Sequence, residues 1–119
     1  MSYRPQKIAA QLARELGQIL AHEVSDPRLQ QLIITRVTVS GDLKHARVLY
    51  GAPGSMADGQ RLQATVSNAA GFLRHRVGQV MRIKLVPMLD FRPDRGYWEG
   101  MDTVELLAQL ESDSEPGDG

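Results

Sequence analysis

The stretch that decides the fold covers residues 67–73 and reads Ser67-Asn68-Ala69-Ala70-Gly71-Phe72-Leu73. It lies in the middle of a run, Leu62 to Met81, in which apolar residues recur with the period of an α-helix. Gly71 interrupts that run and destabilises a continuous helix by roughly 1 kcal/mol relative to alanine. The pattern therefore predicts two helices that meet at a bend. Either the backbone there is open to a closely approaching partner, or the helices cross and need a small residue.

On the N-terminal side of the bend, the sequence predicts one helix and a β-hairpin. The helix begins near Pro5 and ends between His22 and Val24, because Asp26-Pro27 stops it. Its apolar stripe consists of Ile8, Leu12, Leu16, Ile19 and Leu20. Strands are predicted at residues 33–40 and 44–51, with a turn at Gly41-Asp42. In the first strand, alternation places Ile33, Thr35, Val37 and Val39 on one face. In the second strand, it places Ala46, Val48 and Tyr50 inward.

On the C-terminal side, a helix capped by Asp58 leads into the bend, and the helix after the bend ends near Arg82. A last strand is predicted at residues 84–92, with Leu85, Leu89 and Phe91 on one face. Pro87 within that strand favours an edge position or a local bend. A turn at Asp94-Arg95-Gly96, a short helix at 101–110 and a disordered acidic tail at 111–119 complete the chain. Phe72 and Phe91 are expected in the core, whereas Tyr97 and Trp98 either stack on bases or pack under the terminal helix.

This order predicts an α+β two-layer fold, with the helices on one face of a three-stranded mixed sheet. A chain of 119 residues, 42% hydrophobic and 24% charged, is typical of one soluble globular domain. No apolar run reaches the length of a membrane span and the N-terminus has no secretory signal, so we expect a cytoplasmic protein.

Enzymatic function finds little support in the composition. The absence of cysteine excludes disulfides, thiolate catalysis and cysteine-ligated metals. His22, His45 and His75 fall on different elements, and no metal-ligand spacing or phosphate-binding loop accompanies them. We therefore predict no catalytic residues, no metal and no cofactor.

The charge is distributed very unevenly along the chain. Residues 1–95 carry 14 Lys and Arg against seven Asp and Glu, whereas residues 96–119 carry seven Asp and Glu and no Lys or Arg. The net charge of zero therefore hides a body of +7 and a C-terminal segment of −7. A concentrated basic face is typical of a protein with a polyanion partner, although ordinary charge scatter would give a similar count.

The helix after the bend provides the sharpest candidate site. Arg74, Gly78 and Arg82 fall at i, i+4 and i+8, so they line one stripe, and Leu73, Val77, Val80 and Met81 form the expected buried side. A flat basic ridge at a helix N-terminus can receive phosphate, but the two arginines could instead pair with Asp90 or the acidic tail. The full set of candidate residues for binding a polyanion is Asn68, Ala69, Gly71, Arg74, His75, Arg76, Arg82, Lys84, Arg36, Lys44, Arg47, Arg4 and Lys7.

Four motifs in order resemble the ribosome-binding factor A family of bacterial assembly factors over residues 4 to about 110. They are Asp26-Pro27-Arg28-Leu29, the hairpin from Val37 to Val48, the bend Ala69-x-Gly71-Phe72-x-Arg74, and the strand from Arg82 to Phe91. The resemblance implies a type II KH-like fold in which Ala69-Ala70-Gly71 stands in place of the Gly-x-x-Gly loop that clamps a nucleic-acid backbone. It also implies a non-enzymatic factor that binds 16S ribosomal RNA on the immature 30S subunit, with roles in maturation of the RNA 5′ end and in cold adaptation.

The resemblance divides the chain into a KH-like RNA-binding domain at residues 1–95, a C-terminal turn and possible short helix at 96–110, and the tail at 111–119. We expect a monomer that does not bind membranes. The alternative is a protein-interaction module whose basic face binds an acidic protein.

Overall fold

The computed structural model describes the backbone of residues 4–114 and the side chains of residues 4–110. Its elements in chain order are α1 (Arg4–His22), α2 (Pro27–Gln30), β1 (Ile33–Val39), β2 (His45–Gly51), α3 (Met56–Asn68), α4 (Ala70–Met81), β3 (Met88–Pro93) and α5 (Arg95–Ser114). The strands form one sheet in the order β1-β2-β3, with β1 antiparallel and β3 parallel to β2. This arrangement confirms the predicted α+β fold with a three-stranded mixed sheet.

The core lies between the helices and one face of the sheet. The apolar stripe of α1 is buried at Leu12, Leu16, Ile19 and Leu20, as its helical spacing predicts. Opposite it, the inward residues of β2, together with Phe91 of β3, close the core from the sheet side. Each such aliphatic side chain contributes about 1.5–3 kcal/mol through burial, so this stripe accounts for much of the packing of α1. Among the described residues, no helix has the length and apolar character to cross a lipid bilayer.

Strand β1 contains a β-bulge that the simple alternation did not predict. The pairing with β2 shifts between Ile34 and Arg36, so Thr35 lies outside the regular register. Consequently Ile33 is 47% exposed and does not share the buried face of Val39, as the simple alternation predicted, whereas Ile34 is half-buried. The bulge also brings the Thr35 hydroxyl to the carboxylate of Asp94, to which it donates a hydrogen bond at 2.5 Å.

The predicted bend is present between α3 and α4, at Ala69, whose φ of −86° and ψ of −4° end one helix and begin the next. Gly71 lies in the first turn of α4 and is exposed, and a Cβ added to it would meet nothing within 4 Å. Its φ is not positive. The alternative of a buried helix crossing that requires a small residue is therefore wrong, and the glycine leaves the backbone open.

Helix α3 begins with a capping box, one turn earlier than predicted. Ser55 is the N-cap, and its hydroxyl accepts a hydrogen bond from the backbone N–H of Asp58, which is the third helical residue. The Asp58 carboxylate in turn accepts from the N–H and the hydroxyl of Ser55. These hydrogen bonds hold the pKa of Asp58 below its ordinary value. The prediction of Asp58 as the N-cap was wrong because both residue types cap helices and only the backbone geometry decides between them.

The C-terminal third differs most from the prediction. Strand β3 begins at Met88, after a buried Pro87, and Leu85 is 81% exposed rather than on a buried strand face. Phe91 is in the core as expected, whereas Phe72 is 47% exposed and Val80, expected on the buried side of its helix, is 37% exposed. Proline cannot donate to a sheet ladder, so the strand is confined to the residues that follow it.

Helix α5 is longer than the short helix predicted at residues 101–110. The predicted turn at Asp94 is its start, where the Asp94 carboxylate accepts a hydrogen bond from the N–H of Gly96 at 2.9 Å. The helix continues to Ser114, which includes the first part of the predicted disordered tail, and residues 115–119 lie outside the described residues.

Two aromatic residues fix the beginning of α5 against the domain. Trp98 is buried and its indole N–H donates to the carbonyl of Gly54 at 3.1 Å. Its ring lies against Gly59, where a Cβ would come within 2.4 Å of it, and the ring of Tyr97 covers Gly51 in the same way. Of the two alternatives for these aromatics, packing is the observed one.

Candidate nucleic-acid interface

The connection between α4 and β3 is held in place by Arg74. The guanidinium donates to the carbonyl of Val86 through Nη2 at 2.7 Å and through Nε at 3.0 Å, and Nε also lies 3.2 Å from the carbonyl of Pro87. Arg74 is half-buried by these contacts. Its guanidinium therefore positions the connection, because these hydrogen bonds satisfy backbone carbonyls that no strand pairs.

The predicted flat ridge on α4 is not open. The side chain of Val86 covers Gly78, with its Cγ2 3.0 Å from the position that a Cβ would take. Arg82 ends α4 in a left-handed conformation, with a φ of 55°, and directs the chain away from the helix axis. The interpretation of Arg74, Gly78 and Arg82 as one exposed stripe is therefore wrong, since the returning chain occupies its centre.

The returning chain instead forms the wall of a cleft of about 710 Å³. Apolar residues make up much of the lining, with Leu85 and Met88 strongly exposed. Basic residues from three separate parts of the fold also line it, namely Arg4, Lys44, Arg74, Arg82 and Lys84. The cleft is thus an apolar groove surrounded by positive charge.

Three basic side chains of this cleft are not neutralised by any carboxylate that the structure describes. Several exposed arginines on other faces do pair with carboxylates, as Arg28 does with Asp26 at 2.8 Å and Arg61 with Asp58 at 2.7 Å. By contrast, the exposed side chains of Lys44, Arg82 and Lys84 make no ion pair or hydrogen bond with any residue whose side chain the structure describes. Lys7, Arg36 and Arg95 share this property but are scattered over α1, β1 and α5.

Asp42 supplies a negative charge at the edge of the cleft. Its carboxylate accepts hydrogen bonds from the Ser40 hydroxyl at 2.7 Å and from the Lys44 N–H at 3.0 Å. These bonds hold the pKa of Asp42 below its ordinary value, so it is ionised at neutral pH. The Asp42 carboxylate orders the β1–β2 turn through these hydrogen bonds. The cleft has a net positive charge because its lysines and arginines outnumber this one carboxylate.

A second, shallower cleft of about 460 Å³ lies beside the first and shares the wall formed by residues 83–86. Gly71, His75 and Gln79 line it from α4. The N-cap of that helix, Ala69, has no side-chain oxygen and makes no side-chain cap hydrogen bond. The first N–H groups of α4 therefore have no side-chain acceptor at the cap, and such a helix terminus attracts anions.

The remaining candidate residues do not converge on these clefts. Arg76 forms an ion pair with Glu23 at 2.5 Å and ties α4 to α1. Arg36 and Arg47 lie on the sheet face opposite the helices, where Arg47 pairs with Asp90 at 3.6 Å. The other candidates near the bend or on α1 are exposed or half-buried without lining either cleft; they are Asn68, Ala69 and Lys7.

Leu85 and Met88 were not predicted as cleft residues. Leu85 was placed within the last strand, and the signal against that placement is Pro87, which excludes the residues before it from a regular ladder. Met88 does belong to β3, and its place in the cleft depends on the fold. Among the described residues, no group of three His, Asp or Glu side chains is arranged to hold a metal ion.

Comparison with known proteins identifies similar chains. The family model described as ribosome-binding factor A matches residues 4–107. The ribosome-binding factor A of Methylobacillus flagellatus is 36% identical over 121 residues, which cover 95% of this chain and 94% of that protein. The solution structure of a Thermotoga maritima protein superposes with a TM-score of 0.70 at 24% identity, covering 81% of this chain and 92% of that one, and supports the fold alone.

A further similar structure comes from a complex with a ribosomal subunit. It is the Thermus thermophilus ribosome binding factor A homology model as fitted into the cryo-EM map of a complex with the 30S subunit. It superposes with a TM-score of 0.60 at 29% identity and covers 73% of this chain and 91% of that chain. Together with the sequence matches, it confirms the predicted family.

Proposed function

Since the chain belongs to the ribosome-binding factor A family, we propose that it is a non-enzymatic RNA-binding factor that binds 16S ribosomal RNA on the immature 30S subunit. The observation that carries this proposal is the set of cations at the larger cleft, Lys44, Arg82 and Lys84, that have no ion-pair partner among the described side chains. Such cations around an apolar groove suit a ligand that is both negatively charged and rich in flat apolar surface. Single-stranded or bulged RNA has both properties.

In the proposed complex, the backbone and the bases of the RNA use different parts of the surface. A phosphate group binds at the uncapped N-terminus of α4, beside Gly71, and neighbouring phosphates extend toward Lys84 and Arg82. The exposed side chains of Leu85 and Met88 contact the faces of bases. Because this set contains few groups able to read base edges, recognition relies on the phosphate backbone and on RNA shape.

The finer parts of the proposal follow from the family resemblance. We place the protein in the cytoplasm, where it acts on the particle as a monomer and assists maturation of the 5′ end of 16S ribosomal RNA. A contribution to growth at low temperature belongs to the same proposal. The similar Thermus thermophilus protein, fitted as part of a 30S complex, supports the choice of the small subunit.

The test is a titration of the whole protein with fragments of 16S ribosomal RNA at two salt concentrations, together with co-sedimentation on immature 30S particles and 70S ribosomes. We expect binding to RNA that weakens as salt rises, and co-sedimentation with immature 30S particles rather than 70S ribosomes. An acidic polypeptide of matched length is the control. Binding to that polypeptide without binding to RNA would contradict the proposal and favour an acidic protein as the partner.

Replacing Gly71 with alanine separates the role of the bend in binding from its role in stability. Because Gly71 is helical and open, we expect Gly71→Ala to raise the free energy of unfolding by up to about 1 kcal/mol. If the backbone at the bend lies against a phosphate, RNA affinity nevertheless falls, because the added methyl group keeps the phosphate away. Chemical denaturation and RNA titration of the same preparation measure both quantities.

Gly100→Ala is the matched control, since Gly100 is also helical, exposed and without atoms within 4 Å of an added Cβ. It should stabilise the protein similarly and leave RNA affinity unchanged. Equal RNA affinity of Gly71→Ala and the unmodified protein would exclude a close backbone contact at the bend.

A further inference from the structure

The outer part of α5 carries apolar side chains that no described part of the chain covers. Only the start of the helix packs on the domain, and every residue from 101 to 110 is exposed. Its large apolar side chains are 51% to 63% exposed; they are Met101, Val104, Leu106, Leu107 and Leu110. A helix of 20 residues is about 30 Å long, so an extended apolar surface projects from the domain.

The same part of α5 is acidic. Glu99, Asp102 and Glu105 are exposed, and no lysine or arginine follows Arg95 in the sequence. Two such helices placed side by side would bring like charges together, which opposes pairing of α5 with α5. The helix therefore suits a partner surface that is apolar and basic.

The larger cleft has these two properties. Lys44, Arg82 and Lys84 lie around it without ion-pair partners in the described part of the chain, and Leu85 and Met88 offer exposed apolar surface. An amphipathic helix that lies in an apolar groove is a common mode of recognition, with the charges at the edges fixing its orientation. The acidic, apolar α5 and the basic, apolar cleft are thus complementary surfaces on one chain.

The position of α5 makes it difficult for this helix to reach the larger cleft of the same chain. Strand β3 runs from Met88, which lines the cleft, to Pro93, and α5 begins two residues later. The strand separates the cleft from the start of α5 by roughly 17–20 Å. Trp98 is buried and holds that start in place.

We propose that α5 of one copy docks in the larger cleft of a second copy, and that the exchange is reciprocal in a two-fold symmetric dimer of the free protein. The dimer covers the apolar face of α5 and the exposed Leu85 and Met88 at once. It also covers the cleft against RNA, and that consequence rests on the proposed function. RNA and α5 then compete for one surface, so the protein enters the 30S complex as a monomer.

The experiment is sedimentation of the full chain over a range of concentrations, at low and at physiological salt. We expect the mass to rise from that of a monomer toward twice that value, at lower concentration when salt is low. Leu107→Glu should weaken this self-association at least about tenfold, because it places a carboxylate in the apolar contact. Gln109→Glu is the matched control, since it adds the same charge about 200° away around the helix.

The cleft is tested with Leu85→Glu, which should weaken self-association as Leu107→Glu does, and circular dichroism confirms that the variants fold. A monomer at all concentrations overturns the proposal. Self-association that Leu107→Glu abolishes but Leu85→Glu leaves intact also overturns it, because α5 would then bind elsewhere.

Addition of RNA to the dimer tests separately whether RNA and α5 bind the same cleft. Dissociation of the dimer on addition of 16S ribosomal RNA fragments supports both the dimer and the RNA site. A dimer that both variants weaken but that RNA does not dissociate supports the α5–cleft contact and contradicts the placement of RNA in the cleft.

Discussion

Replacing Arg82 and Lys84 together with glutamate is expected to weaken RNA binding by about 10- to 100-fold at low salt while the fold is retained. Both side chains are exposed and make no ion pair with a described residue, so their reversal removes no contact that holds the domain together. If they neutralise about two phosphates, the slope of log affinity against log salt becomes shallower by roughly 1.4–1.8. Titration with labelled RNA at several salt concentrations measures both effects.

The matched control is the double variant Arg14→Glu with Arg95→Glu, which changes the net charge equally. Arg14 and Arg95 are exposed and line neither cleft. A control that lowers affinity as much as the cleft variant would mean that net charge, rather than the cleft, governs binding. Arg74 is not suited to this test, because its removal also leaves the carbonyls of Val86 and Pro87 without their donors.

Trp98→Ala is expected to lower the free energy of unfolding by about 3–5 kcal/mol, the range for truncating a buried aromatic residue. The ring is 5% exposed and fills the space above Gly59, and its N–H bonds the carbonyl of Gly54. For a domain of this size, the loss corresponds to a fall in Tm of roughly 10–20 °C. Urea denaturation and a thermal scan measure the two quantities.

Met101→Ala, one turn further along α5, is the control, because Met101 is half exposed and contributes little to the core. A loss of less than about 1 kcal/mol in Trp98→Ala would contradict the packing of α5 against β2 and α3. RNA affinity of the folded variant should be unchanged, since the clefts lie at the other end of β3.

Several features of the fold could be predicted from sequence because their causes are local. The spacing of Leu12, Leu16 and Ile19 is sufficient to mark the buried face of α1. The alternation of Ala46, Val48 and Tyr50 likewise marks the buried face of β2. The bend was predicted correctly in position, and of the two reasons offered for Gly71 the open backbone is the observed one.

The candidate site was predicted only in part, for a different physical reason. Charge and spacing selected Lys44, Arg82 and Lys84, which the fold brings to one cleft from two distant segments. Composition could not tell a paired cation from an unpaired one. Arg76 and Arg47 look equivalent to Arg82 in sequence, yet Glu23 and Asp90 neutralise them across the fold.

By itself, then, the sequence determined helices α1, α3 and α4, the hairpin, the bend and the basic character of residues 1–95, because periodicity, turn residues and charge act over a few neighbouring positions. The tertiary structure decided where the arginines point, that Thr35 leaves the register of β1, and that Leu85 is exposed. Each of these depends on a contact between segments far apart in the chain. Arg74 shows the difference, since its guanidinium is directed by the carbonyls of Val86 and Pro87, which reach it only when the chain returns over α4.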